Sequence, residues 1–286
     1  MRNADKYAVA VRKTDGEIVV KTEEYKGIVQ NKKIRSLPII RGVFSFIDSM
    51  VLGMSTLTYS ASFFMDEEEE EKDEKKESVM MGLTIACSVV MAVAIFMILP
   101  YFLSQLFRKF TDSTTLITLL EGAVRLVIFF GYILLISRMK DIQRVFMYHG
   151  AEHKCINCIE HGMELNVENV LKSSRLHKRC GTSFLFIVMI VSIIFFLFIR
   201  IESPIWRVVF RLLLIPVIAG VSFEFIRLAG KSENKLVIFL SKPGMMLQKL
   251  TTREPDASMA EVAIASVEAV FDWRAYLKEN FGWQEK

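Results

Sequence analysis

The run Tyr148-His149-Gly150-Ala151-Glu152-His153 places two imidazoles four residues apart with a carboxylate between them. A second cluster, His177-Lys178-Arg179-Cys180-Gly181, follows downstream. Three of the 4 His lie in these two motifs, and three of the 4 Cys (Cys155, Cys158, Cys180) lie in or between them. Two neutral imidazoles one helical turn apart can share a metal ion through their ring nitrogens. The H-x-x-E-H order matches the inverzincin arrangement. Glu152 then stands where a general base could act on a water activated by the metal. The expected first ligands are His149 and His153, completed by Cys180, His177 or Glu160. The expected ion is zinc or another divalent transition metal.

These groups need an element to aim them. A helix starting near Met139 puts Ile142, Phe146, His149 and His153 on one face, at steps of four, three and four. The histidines continue an apolar stripe and face the core, with Ile156 and Glu160 extending it. A buried imidazole pair with no metal would be poorly satisfied. The plain alternative is two core histidines with local hydrogen bonds. A rival spacing pairs Cys155-x-x-Cys158 with His177-x-x-Cys180, which resembles a closed structural zinc knot. The His pair is favoured because its stripe runs into the core, with Cys155 and Cys158 then acting as small buried hydrophobes. Lys178 and Arg179 either hold Cys180 as a thiolate or are interfacial residues ahead of the next apolar segment.

The whole loop lies between segments long enough to span a bilayer. At 286 residues, 52% of them hydrophobic, the chain is too apolar for an ordinary soluble protein. Its net charge of +4 and its lack of a recognition motif give no reason to expect nucleic acid as a partner. Four cysteines in this length make no disulfide scaffold. The opening Met1-Arg2-Asn3-Ala4-Asp5-Lys6 lacks the apolar core of a signal peptide.

Residues 6–25 alternate in a β-hairpin pattern, with Thr14-Asp15-Gly16 as the turn. Residues 37–64 are apolar but carry Arg41 and Asp48, which are costly at a bilayer centre, so an interfacial helix is expected there. The acidic run from Asp66 to Glu77 reads as a solvated linker. Spans are expected at about 79–107, 116–136, 183–199 and 205–225. In the second, Glu121 and Arg125 are spaced to neutralise each other. In the fourth, Arg207 and Arg211 are expected to snorkel to the interface. After Lys231 the chain turns soluble. Ser258-Met259-Ala260-Glu261 reads as a capping box ahead of an amphipathic helix. The resulting organisation is an N-terminal β element (1–36), interfacial helix and acidic linker (37–77), spans one and two (78–137), metal-binding loop (138–182), spans three and four (183–230) and a tail (231–286). Lys and Arg concentrate in the N-terminal region, the 138–182 loop and the tail, which the positive-inside rule places in the cytoplasm. A reducing compartment favours metal binding over disulfides.

At these residues the chain resembles the YqhQ-like family, bacterial membrane proteins of unknown function described as predicted metal-dependent enzymes. The resemblance runs along nearly the whole chain. It includes Tyr7-Ala8-Val9-Ala10-Val11-Arg12, Tyr148 to Lys154 and Arg179-Cys180-Gly181-Thr182-Ser183-Phe184. It continues through Pro243-Gly244, Gln248, Leu250-Thr251-Thr252-Arg253-Glu254-Pro255 and Glu261-Val262-Ala263. It implies motif positions at His149, Glu152, His153, Glu160, His177 and Cys180, and none at Cys155 or Cys158. The family pattern opens with a Gly-Gly-Gln-Ala-Val-like segment, of which Met1-Arg2 matches only the end. No chemistry follows from the 250–255 motif itself. Arg253 either pairs with a carboxylate near the loop or marks a surface turn.

The expectation is a mainly α, polytopic α-helical protein of the bacterial inner membrane with about four transmembrane helices. It has a small N-terminal β-hairpin, a cytoplasmic metal-bearing helical loop and both termini cytoplasmic. Its function is read as a zinc-dependent hydrolase acting on a juxtamembrane peptide or a lipid. The alternative is a non-enzymatic scaffold or insertion accessory with a structural metal. Expected partners are membrane lipids and a membrane protein or a second copy of the chain. A transporter fits less well, because charged residues within the spans are few and no pair of broken helices stands out.

Overall fold

The computed structural model of the chain describes residues 1–3, 5–64, 74–178, 180–199, 201, 203–232 and 234–284. The acidic run beginning at Asp66 lies outside the described residues up to residue 73, as do Arg179 and Arg200. An antiparallel sheet opens the fold, with β1 (Arg2–Asn3), β2 (Lys6–Arg12) and β3 (Ile18–Glu24) in that order. The β2–β3 hairpin closes at Arg12 opposite Ile18, and Gly16 takes the positive φ of 91° that the turn needs.

Helices make up nearly all the rest. They are α1 (Lys32–Ser36), α2 (Ile40–Ser62), α3 (Glu74–Val93), α4 (Leu99–Gln105), α5 (Thr114–Ile136), α6 (Lys140–Glu160), α7 (Val167–Lys172), α8 (Gly181–Phe198), α9 (Pro204–Ala229), α10 (Lys235–Thr251), α11 (Ala257–Glu268) and α12 (Trp273–Phe281). A π-helical stretch, Ala94–Ile98, joins α3 to α4. Pro100 has no N–H for the carbonyl of Phe96, so the ladder is already broken there and a wider turn fits. The tail helix α11 begins two residues earlier than the capping box places it. Asp256, not Ser258, is its cap and accepts from the Met259 N–H at 2.8 Å. Glu261 instead pairs with Arg12 of β2 at 2.6 Å.

Among the described residues, 5 helical stretches are long and apolar enough to cross a membrane: α2, Val79–Lys109, α5, α8 and α9. Four match the expected spans. The fifth, α2, is the least apolar of them, and its contacts along its length explain its charges. At its start Arg41 pairs with Glu224 of α9. Midway, Asp48 is buried and accepts from the Ile28 N–H at 2.8 Å and the Tyr25 hydroxyl at 3.2 Å, both in the chain just after β3. Toward its end Thr56, Leu57 and Ser60 line a cavity with β2, α6 and α11. The middle and end of α2 thus stay beside the N-terminal sheet. That sheet packs on α11, and α11 packs on α6. An interfacial α2, as the sequence leads one to expect, would leave an even number of crossings between the sheet and α6, in keeping with their packing through α11.

Inside the bundle, the carboxylate of Glu121 accepts from Arg125 at 2.9 Å and from both ends of the Arg211 guanidinium at 2.5 and 2.8 Å. Arg125 also donates to Ser192 of α8 at 2.9 Å. The expectation for Arg211 is therefore corrected. It is buried between α5 and α9 and does not snorkel, because a bidentate carboxylate is a better partner than the interface. Arg207 donates to the Ile201 carbonyl at the helix start.

An interfacial α2 predicts which side each loop faces. In a Cys87→Ser background, whose remaining Cys155, Cys158 and Cys180 are buried, cysteines introduced at Lys26 and Lys172 are expected to add labelling by an impermeant thiol reagent from the same side of sealed vesicles. A cysteine at Phe110 is expected to react only from the other side. Opposite labelling of Lys26→Cys and Lys172→Cys would show that α2 crosses.

Candidate metal centre

Helix α6 carries the histidines, and three backbone segments surround it. It runs from its cap at Met139 to Glu160, as the spacing predicts. Its distal half packs on α7, α11 and α12 through Ala151, Cys155, Cys158, Val170, Ala260, Val267 and Leu277. The segment after α10 crosses α6 closely, with the Arg253 N–H donating to the Phe146 carbonyl at 2.9 Å. A side chain at position 150 would drive its Cβ into the Arg253 carbonyl oxygen, so Gly150 is what permits the crossing.

The side chains of His149, His153 and Cys180 converge. Their ligand atoms lie within 4.8 Å of one another. The Cys180 Sγ is 3.3 Å from His149 Nε2, and the two imidazole rings are 4.4 Å apart, edge to face. Each ring is held from behind. His149 Nδ1 lies 3.0 Å from the Thr251 carbonyl and His153 Nδ1 lies 2.7 Å from the Arg175 carbonyl. A carbonyl only accepts, so both Nδ1 atoms carry the proton and both Nε2 lone pairs are left for the centre. Cys180 is the cap of α8 and accepts the Thr182 N–H at 3.4 Å. Burial pushes its thiol up, but hydrogen bonds and charge from His149 and His153 outweigh that and hold it at about 5. Burial opposes a charge on His149 as well, yet Cys180, the Thr251 carbonyl and Glu152 raise its pKa.

The other expected residues fall in two places. His177 is adjacent, its ring 5.8 Å from that of His153, and its Nε2 lies 3.2 Å from the Glu160 carboxylate. Its backbone is clamped by Gln248, which accepts the His177 N–H at 2.9 Å and donates to the His177 carbonyl at 2.7 Å. Glu152 lies elsewhere. It is half-exposed, lines the cavity shared by β2, α2 and α11, and sits 3.9 Å from the amino group of Met1. Cys155 and Cys158 belong to the packed core and do not reach the centre. Burial pushes both thiols up, Cys158 to about 11, and Cys158 donates to the Glu164 carbonyl at 3.3 Å. The knot is therefore not assembled, and the two cysteines are small hydrophobes. Arg253 donates to the Ser137 carbonyl at 2.9 Å, neither pairing with a loop carboxylate nor marking a free turn.

Sequence reasoning did not foresee the supporting atoms. Gln248 and Thr251 lie in stretches singled out for their pattern, but their roles depend on long-range contacts. Arg175 acts through its carbonyl, and no side-chain signal marks a carbonyl.

The apolar helices define a polytopic α-helical membrane protein, and the His/Cys cluster sits where the soluble body meets them. The chain belongs to the DUF1385 family, described as proteins of unknown function, whose model matches residues 37–273. It is 35% identical over 285 residues to the uncharacterized protein YqhQ of Bacillus subtilis (strain 168), covering 96% of this chain and 89% of that one. No solved structure matches it.

The crossing of Arg253 over Gly150 is a sharp test of the arrangement. Gly150→Ala adds one methyl against a backbone oxygen that cannot rotate away, and overpacking of this kind costs about 1–3 kcal/mol. The thermal midpoint of the detergent-purified protein is expected to fall by several degrees. Gly131→Ala, with open space around its Cβ, should leave it unchanged or slightly higher.

Proposed function

We propose that His149, His153 and Cys180 bind a zinc or similar transition-metal ion, and that this protein is a metal-dependent hydrolase acting at the membrane surface. The observation that carries the reading is the pair of backbone carbonyls behind the two rings. They fix the tautomer that turns both Nε2 lone pairs toward the same thiolate-forming sulfur. Two imidazoles and a thiolate are a donor set of the kind found at catalytic zinc, and three protein donors leave a position open. A bound ion would supply Lewis acidity toward a carbonyl or phosphoryl oxygen.

The chain's own residues would do the rest. The carbonyls of Thr251 and Arg175 orient the imidazoles and fix their tautomer. The His177–Glu160 pair stands beside His153 and is the nearest acid–base couple. Glu152 opens onto a different cavity, so the acid–base role falls to His177–Glu160, and Glu152 contributes charge near His149. The Lys and Arg bias of the loops supports a cytoplasmic centre in a bacterial cell membrane, with both termini on that side.

A second reading has one observation in its favour. His153 and Cys180 are 5% and 4% exposed, as ligands of a structural ion often are. The protein would then be a scaffold for a membrane-protein partner or a second copy of itself.

Elemental analysis of detergent-purified protein tests the centre. Near-stoichiometric zinc is expected in the wild type, lost in His153→Ala and Cys180→Ser, and kept in Glu152→Gln. A folded wild type that takes up no transition metal sinks the proposal. Chelation then separates the two readings. A catalytic ion should leave with little change in thermal midpoint, whereas a structural ion should take the fold of α6 and α8 with it.

A further inference from the structure

Beside the centre lies a cavity of about 440 Å³. Three cations line it, Arg175, Lys249 and Arg253, with a single carboxylate, Glu254. That carboxylate is already engaged, because the buried Lys154 holds it at 2.9 Å, and Arg175 reaches it at 3.3 Å. Glu254 therefore cannot balance Lys249 and Arg253 as well. The two guanidiniums are braced by main-chain acceptors: Arg175 donates to the Thr252 carbonyl at 2.6 Å and Arg253 to the Ser137 carbonyl at 2.9 Å. Each such bond uses one of five N–H donors and fixes the plane of the rest.

The cavity is tied to the centre through the same short pieces of chain. The Arg175 carbonyl holds His153, and the Thr251 carbonyl, between Leu250 and Arg253, holds His149. Its remaining walls are apolar. Met147 of α6 lies on one side, and Leu250 packs against the intramembrane cluster of Phe129, Ile133 and Met189 on the other. Ser137 is the cap of α5, at the end of one of the apolar helices.

We propose that this cavity binds a phosphate group, which makes a phosphate-bearing molecule the substrate class of the neighbouring centre. Fixed guanidinium forks with a mobile ammonium suit a tetrahedral oxyanion. The apolar wall of Met147 and Leu250 suits the uncharged side of a lipid headgroup. The reaction assigned to the ligand rests on the metal reading, but the binding does not, since none of the three cations is a ligand of the centre.

The test measures binding in phosphate-free detergent buffer, by calorimetry with inorganic phosphate and by native mass spectrometry with phosphatidylglycerol. Wild type, Lys249→Glu, Arg253→Gln and His153→Ala are compared. At least a tenfold weaker binding is expected in Lys249→Glu and Arg253→Gln, with the wild-type value kept in His153→Ala. Lys249 is exposed on the last turn of α10, so Lys249→Glu should fold even if Arg253→Gln does not. Binding of the lipid alone identifies the headgroup as the source, and binding of both probes identifies phosphate itself. If neither probe binds, or if both charge variants bind as the wild type does, the proposal is overturned. Binding lost in His153→Ala as well would overturn the independence of the subsite from the centre. Zinc absent from a wild type that still shows the charge-dependent binding would overturn the metal reading alone.

Discussion

The backbone of residues 248–253 passes so close to α6 that the centre depends on it. Gln248 grips the main chain of His177 in both directions and donates to Ser183 at 2.7 Å, joining the loop to α8. The Thr251 carbonyl meets His149, the Thr252 carbonyl meets Arg175, and the Arg253 amide meets α6. Each bond is worth about 1 kcal/mol net, but leaving its buried partner unmatched costs more. One strand of chain thereby sets the distance between α6 and α8, and so between the imidazoles and Cys180. A helix bearing side chains at every position could not come this near, so Gly150 is as much a part of the centre as the ligands.

Much of this was legible in the sequence, and the reasons are physical. Amphipathic periodicity located α6 and put both histidines on its inner face, because a helix has one buried stripe whatever it packs against. Apolar length located the four main spans, because the bilayer sets that length. Spacing alone could not separate Cys180 from Cys155 and Cys158. Cys180 follows a loop whose path is set by Gln248, and Cys155 falls one step off the histidine face, into the α11–α12 core. Glu152 illustrates the same limit. Its place beside His153 in sequence is a turn of about 100° on the helix, enough to aim it at another cavity. The fate of Arg211 depended on a carboxylate in a different helix, and pairings between helices leave no local trace.

The charged groups within the apolar helices follow one rule. A charge taken out of water is retained only where geometry supplies a partner. Asp48 has a backbone amide, a phenol and a distant guanidinium. Glu121 has two guanidiniums, and Arg211 and Arg125 also lie over the face of Phe196 at 4.7 and 5.1 Å. The Glu121 cluster joins α5, α8 and α9, and α8 carries Cys180 at its other end. It fixes their rotation in a medium where apolar side chains cannot, since lipid solvates leucine as well as a neighbouring helix does.

That rigidity bears on why the centre stands where it does. Cys180 caps α8, so its position is set by a helix locked into the bundle, whereas His149 and His153 ride on a helix locked into the soluble body. The donors thus come from two bodies, one built around α6 and one around α8. Any ion held there would staple them together, and a ligand in the adjacent basic cavity would touch both, through Arg175 on one and Lys249 on the other. Leu250, shared by the cavity wall and the buried apolar cluster of Phe129, Ile133 and Met189, joins that ligand site to the helical bundle.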